Sequence, residues 1–223
     1  MRPATLSKPS YESVVSINHV LRKTYLLLSL TLLFSAGMAY FAIIKNAAPM
    51  NIFLLIAGMF GLYFLTTALS KSHWGLLAIF LYTGFMGYTL GPILNFYIHG
   101  FNNGSQIVTT ALGSTGILFL GLSGYVLITR KDFSYLGGFL AASILIVLLG
   151  GIASLLLQLP VLSVLISGAF ALISSAFILY TTSQIINGGE RNYIMATISL
   201  YLAIFNLFVS LLRILSYFTG NRN

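Results

Sequence analysis

Thr24-Tyr25-Leu26-Leu27-Leu28-Ser29-Leu30-Thr31-Leu32-Leu33-Phe34-Ser35-Ala36-Gly37-Met38-Ala39-Tyr40-Phe41-Ala42-Ile43-Ile44 runs without a charge from Lys23 to Lys45. A helix that crosses the hydrocarbon core of a bilayer needs about 20 consecutive, mostly apolar residues, and this run has that length. Charges are so rare that the gaps between them act as rulers for the rest of the chain. Asn46 to Ser70 is a second run, with Pro49 near its start. Residues 72–129 carry no charge, which is too long for one span and fits two. Their break falls at His99-Gly100-Phe101-Asn102-Asn103-Gly104, a polar, Gly/Asn-rich turn signal. Residues 133–189 are again uncharged and break at Gln158-Leu159-Pro160. A last run extends from Tyr193 to Tyr217.

Seven transmembrane helices are therefore expected, near 24–44, 50–70, 74–98, 106–129, 134–156, 160–186 and 193–217. The fold class is an all-α integral membrane protein. Continuous apolar runs without in/out alternation exclude a transmembrane β-barrel. Composition agrees: of 223 residues, 58% are hydrophobic and 6% charged, and the mean hydropathy is +0.96. A soluble domain carries about 25% charged residues, so lipid must solvate most of this chain. The first apolar run is longer than the h-region of a cleavable signal peptide. Residues 1–20 read as a flexible polar tail without a packing pattern, and residues 21–223 as one transmembrane domain.

Eleven Lys and Arg against three Asp and Glu give a net charge of +8. These basic residues are too scattered for a nucleic-acid face; they set topology instead. With seven spans, Arg2, Lys8, Arg22, Lys23, Lys71, Arg130, Lys131 and Arg191 share one side, while Lys45, Arg213 and Arg222 belong to the other. Eight against three places the N-terminus in the cytoplasm and the C-terminus outside. Cysteine is absent, which excludes disulfides and thiolate metal sites.

Enzyme chemistry is poorly provided for. Gly121-Leu122-Ser123-Gly124 matches the GxSG of rhomboid-type intramembrane serine proteases, but such a serine needs a general base from a later helix. His19, His73 and His99 all precede it and lie near membrane boundaries. The reading preferred here is close helix packing through small residues. The single Asp, Asp132, excludes a two-aspartate intramembrane protease; the dispersed histidines give no zinc site; no phosphate-binding glycine loop is present. No catalytic residue, metal or cofactor is expected.

Four features remain. Gly84, Gly87 and Gly91 precede Pro92 on the third helix, and Gly87 and Gly91 form a GxxxG that permits close approach of helices. Pro92 frees the carbonyl of Tyr88, and Asn95, one turn on, is placed to satisfy freed backbone groups. This segment is either a hinge or cavity wall, or a structural kink. Helix six ends Tyr180-Thr181-Thr182-Ser183-Gln184, and helix seven carries Asn206, the most deeply placed amide; these polar groups are expected to join the two helices. Arg213 lies near enough to the end of helix seven to snorkel to the interface.

At these segments the sequence resembles the Bax inhibitor-1 family, the transmembrane Bax-inhibitor-motif proteins. The resemblance rests on Thr83-Gly84-Phe85-Met86-Gly87-Tyr88-Thr89-Leu90-Gly91-Pro92-Ile93-Leu94-Asn95, on the end of helix six and on Tyr201-Leu202-Ala203-Ile204-Phe205-Asn206. It is supported by Val20-Leu21-Arg22-Lys23-Thr24-Tyr25, Thr129-Arg130-Lys131-Asp132 and Gly188-Gly189-Glu190-Arg191-Asn192-Tyr193-Ile194. It implies a seven-helix fold without enzyme activity. Some members look like pH-sensitive calcium leaks with a pair of Asp residues as sensor, and Thr181 and Ala203 stand at the matching positions. A bacterial inner-membrane branch is associated with the membrane-anchored AAA metalloprotease, as both substrate and modulator, and residues 1–20 fit a segment that such a protease could grip.

The charge asymmetry makes a direct prediction. A reporter that is active only outside the cytoplasm should be active when fused after Asn223 and silent when fused at Lys131. A silent C-terminal fusion with normal expression would require an even number of spans.

Overall fold

In lipid a chain segment must satisfy its backbone polar groups by its own hydrogen bonds, which leaves these uncharged runs the helix. The computed structural model describes residues 11–143, 149–150 and 160–220. Its elements are α1 (Tyr11–Ile44), α2 (Ile52–Leu69), α3 (Trp74–Gly100), α4 (Gly104–Thr129), α6 (Pro160–Ile186) and α7 (Tyr193–Thr219), with α5 described over 136–143. Among the described residues there is no strand, and six helices are long and apolar enough to cross a membrane. The fifth expected span, 134–156, and residues 158–159 of the expected break lie partly outside the described residues. Pro160 is the first described residue of α6.

The helix starts carry local reasons. The Asn51 side chain accepts from Phe53 N at 2.9 Å and caps α2. The Asn192 carboxamide accepts from Ile194 N and Met195 N and caps α7. Its Nδ2 also donates to Ser70 O at 3.1 Å, tying the start of α7 to the end of α2. One boundary differs from the sequence expectation. α1 is already helical at Tyr11, the first described residue, rather than starting near Thr24, because Arg22 and Lys23 do not interrupt a helix. Val20 and Leu21 pack on the core, so the last residues of the expected tail do carry a packing pattern. Residues 1–10 lie outside the described residues.

Helix α7 is the centre of the bundle and touches α1, α3, α4 and α6, whereas α2 packs on α3. Ile194, Ile198, Leu200 and Tyr201 join Leu28, Ile79 and Tyr82 in one core cluster. Phe208 and Leu212 join Leu90, Phe101 and Ile107 in a second. The loops gather at two ends. At one, Ile17 meets Gly188 and Lys23 Nζ lies 5.2 Å over the Tyr193 ring. At the other, Asn103 Nδ2 donates to Thr219 O at 2.6 Å.

The tightest helix pair is α1 with α3. A Cβ on Gly87 would overlap the carbonyl of Ser35, and one on Gly91 would run into Ala42 and come within 3.1 Å of Ala39 O. The GxxxG therefore faces α1, and Pro92 sits in a helix that continues to Gly100. Gly87→Val should cost about 1–3 kcal/mol or more through overpacking. Gly37 and Gly61 have nothing within 4 Å of an added Cβ, so alanine at either should leave stability intact. Thermal unfolding in detergent measures both; equal midpoints for Gly87→Val and Gly61→Ala would contradict the seam.

Candidate functional site

Close approach of α1 and α3 brings Ser35 and Thr83 within reach of one side chain from α7. The Tyr201 hydroxyl donates to Thr83 O at 3.3 Å and lies 2.7 Å from Ser35 Oγ. A phenol carries one proton, so with that proton on Thr83 O the Ser35 hydroxyl donates to Tyr201. Tyr201 is 1% exposed, and its ring meets Tyr82 edge-on at 6.2 Å. Three helices are thus pinned at one buried hydroxyl.

Beside this junction an apolar cavity of about 240 Å³ lies between α1, α3, α4 and α7, bordered by Ser35, Ala39, Leu90, Thr115, Tyr201 and Phe208. A second, more open cavity of about 350 Å³ lies near the turn between α1 and α2, lined by Asn46, Pro49, Pro92, Asn95, Phe96 and His99. Asn95 Oδ1 is buried and has no hydrogen-bond partner among the described residues. Pro92 and Asn95 thus line a cavity wall, within a helix that stays continuous.

The end of α6 is the densest polar cluster. Thr182 Oγ1 lies 3.4 Å from the Tyr25 hydroxyl of α1 and 3.3 Å from Ser123 Oγ of α4. Ser183 Oγ accepts from Phe133 N at 2.8 Å and from Asn187 Nδ2 at 3.1 Å, and donates to Lys131 O at 3.3 Å. Gln184 Nε2 donates to Ser134 Oγ at 2.9 Å. The Asp132 carboxylate accepts from the Ser134 hydroxyl and from Ser134 N. Those two bonds, the hydroxyl first, hold its pKa below the usual carboxylate value. The Tyr125 phenol beside Lys131 raises that ammonium's pKa.

These bonds revise two expectations. The polar run Thr181–Gln184 was expected to meet helix seven. Instead Thr182, Ser183 and Gln184 reach α1, α4 and the loop 131–134, while α6 and α7 pack through Ile178, Ala203 and Leu207. Asn206 is exposed on α7 and joins neither helix. Arg213 is exposed as well, as a snorkelling side chain would be. Thr181 and Ala203 are both buried, 6% and 5% exposed. The GxSG segment also reads differently: Gly121 and Gly124 have nothing within 4 Å of an added Cβ, so close packing does not explain them, and Ser123 is buried against Thr182. Sequence reasoning missed Ser35 and the loop residues Phe133 and Ser134; they are ordinary apolar or hydroxyl residues without a motif of their own.

A family model described as "Inhibitor of apoptosis-promoting Bax1" matches residues 17–220. The chain belongs to the Bax inhibitor-1 family. It is 52% identical over 205 residues to an uncharacterised protein of Pseudomonas aeruginosa, covering 92% of each chain. It is 49% identical to the Escherichia coli K12 protein named "Modulator of FtsH protease YccA", over 92% of this chain and 93% of that one. The same identity and coverage hold for the "Inner membrane protein YccA" of E. coli O6:H1. This Bax inhibitor-1 family member is a multi-pass protein of the bacterial inner membrane. At the end of α6 this member holds its helices with neutral hydroxyls, which bond at any physiological pH.

Ser183→Ala removes the acceptor of Phe133 N, a cost of about 1–2 kcal/mol. Amide exchange at Phe133 and Ser134 should accelerate about tenfold, while exchange in α7 stays unchanged. Asp132 has a lowered folded pKa, so its contribution is present at neutral pH. That contribution is lost only as pH falls through the lowered value. The Ser134 amide resonance should therefore titrate below the usual carboxylate range, and should stop titrating in Asp132→Asn.

Proposed function

We propose that this protein modulates membrane-protein quality control by engaging the membrane-anchored AAA metalloprotease, for which it is both substrate and regulator, and that it performs no chemistry of its own. The observation that carries this reading is the 49% identity, over 92% of the chain, to a protein named a modulator of the FtsH protease. The proposed topology has seven crossings, with the N-terminus cytoplasmic. It draws support from the opposite placement of the start of α1 and the end of α7. α4 ends beside the end of α6, whereas Pro160 lies at the opposite end of α6.

The handle is the N-terminal tail. Residues 2–10 contain Pro3, Pro9 and two Ser, with no apolar periodicity. The described loops between the helices are short and offer an ATP-driven unfoldase little chain to grip, and loop 131–134 is tied down by Ser183 and Gln184. Modulation then follows from competition: a well-packed bundle that is engaged but slowly unfolded occupies the protease.

The second reading is an ion leak, favoured by the cavity between α1, α3, α4 and α7. Its lining is apolar apart from Ser35, Tyr40, Thr115 and Tyr201, and the family resemblance implies that Thr181 and Ala203 stand where leak-type relatives carry acids. Two carboxylates titrate as a coupled pair; Thr and Ala do not titrate.

Deleting residues 2–16 should leave Arg22 and Lys23 to hold orientation. The shortened protein should outlive the full-length form in cells with active protease, and the two lifetimes should converge without it. Equal lifetimes in all four conditions would remove the role assigned to the tail. For the second reading, liposomes containing the purified protein should show little acid-gated calcium flux; robust flux would promote the leak.

A further inference from the structure

Helix α7 runs from Tyr193 to Thr219, so Asn206 is 13 residues from each end. At 1.5 Å per residue that is about 20 Å from either end, near the membrane midplane. Its carboxamide is exposed and has no hydrogen-bond partner among the described residues. Arg213 lies two turns further on, also exposed and without a side-chain partner among them. Ser199, two turns before Asn206, is half-buried. Residues seven apart share a stripe on a helix, and Leu202, Val209 and Ser216 fill the intermediate positions of the seam. The opposite face of α7, with Ala203, Ile204, Leu207 and Phe208, is buried in the bundle.

Neighbouring outward faces carry mostly large apolar side chains. α2 turns Phe53, Leu54 and Phe64 outward, and α4 turns Leu112, Ile117, Leu120 and Ile128 outward. Snorkelling accounts for Arg213 alone, since exposed Tyr217 and Phe218 mark an interface one turn away. The Asn206 side chain is too short to leave the hydrocarbon. Polar side chains in lipid bind other helices. We propose that the Ser199–Asn206–Arg213 seam docks a transmembrane helix of a different membrane protein, one that carries a carboxylate opposite Arg213 and an amide or hydroxyl two turns deeper.

Charge complementarity selects that occupant. A second copy docked seam to seam would set Asn206 against Asn206 but Arg213 against Arg213, and the expected spans of this chain contain no Asp or Glu away from their ends to neutralise the pair. An anionic lipid headgroup could meet Arg213 and would leave Asn206 bare. The inference goes beyond the protease reading and does not depend on it, because any partner with such a helix would fit.

The test uses the purified full-length chain, donor-labelled, in phosphatidylcholine vesicles. The probe is an acceptor-labelled Leu/Ala transmembrane peptide with Asn at its centre and Asp seven residues nearer one end; the control has Leu at both positions. Energy transfer should report at least tenfold tighter association for the Asp/Asn peptide. The double variant Asn206→Leu/Arg213→Leu, which makes the face more lipid-compatible, should bind both peptides at the control level. Arg213→Lys, which keeps the cation, should retain the preference. Equal binding of the two peptides by the unaltered chain would overturn the proposal. So would energy transfer between two labelled copies that excludes the peptide, or displacement of the peptide by phosphatidylglycerol.

Discussion

The contact on which the rest of the bundle depends is the backbone approach of α1 and α3 at Gly87 and Gly91. In lipid, helices gain nothing from hiding apolar surface from one another, so association rests on packing and on a few polar bonds. Small residues let the two backbones come close, and only then can one side chain from α7 touch both. Tyr201 does so, through Ser35 on α1 and Thr83 O on α3. The central position of α7 follows, because a helix pinned to the α1–α3 pair presents its other buried faces to α4 and α6. Such bonds average about 0.6 kcal/mol each, so the seam contributes most of the specificity and the hydroxyls set the register.

The extent of each described helix was largely legible in the sequence, and direction around each helix was not. The sparse charges bounded the described spans closely, because a charge in hydrocarbon is costly and the chain places its Lys and Arg at the edges. The same ruler misplaced the start of α1, since Arg22 and Lys23 mark the membrane edge and the helix continues beyond it to Tyr11. Asn206 falls midway along α7, yet its exposed azimuth depends on which side of α7 the bundle occupies. The polar run at the end of α6 was visible as a cluster, but its partners Phe133 and Ser134 lie about 50 residues earlier in the chain. Gly121-Leu122-Ser123-Gly124 shows the converse: the pattern suggested close packing, while its two glycines meet open space.

Family membership and site chemistry pull in different directions, and the residues present decide between them. Thr181 and Ala203 are both buried and neither side chain titrates. Around them the helices are held by neutral hydroxyls, which do not change charge between the two sides of a membrane. A bundle held in this way is suited to standing firm. Firmness is what the proposed regulator needs: a tail that can be engaged, a bundle that resists unfolding, and an outward polar seam on α7 for recognition within the bilayer.

The most direct measurement of that account is purification of the full-length chain from native inner membranes in mild detergent, with the bound proteins identified and their stoichiometry measured. The account predicts recovery of the membrane-anchored AAA protease at a fixed ratio to the chain, well above a mock purification. Recovery of the chain without that protease, from membranes in which the protease is abundant and intact, would contradict it.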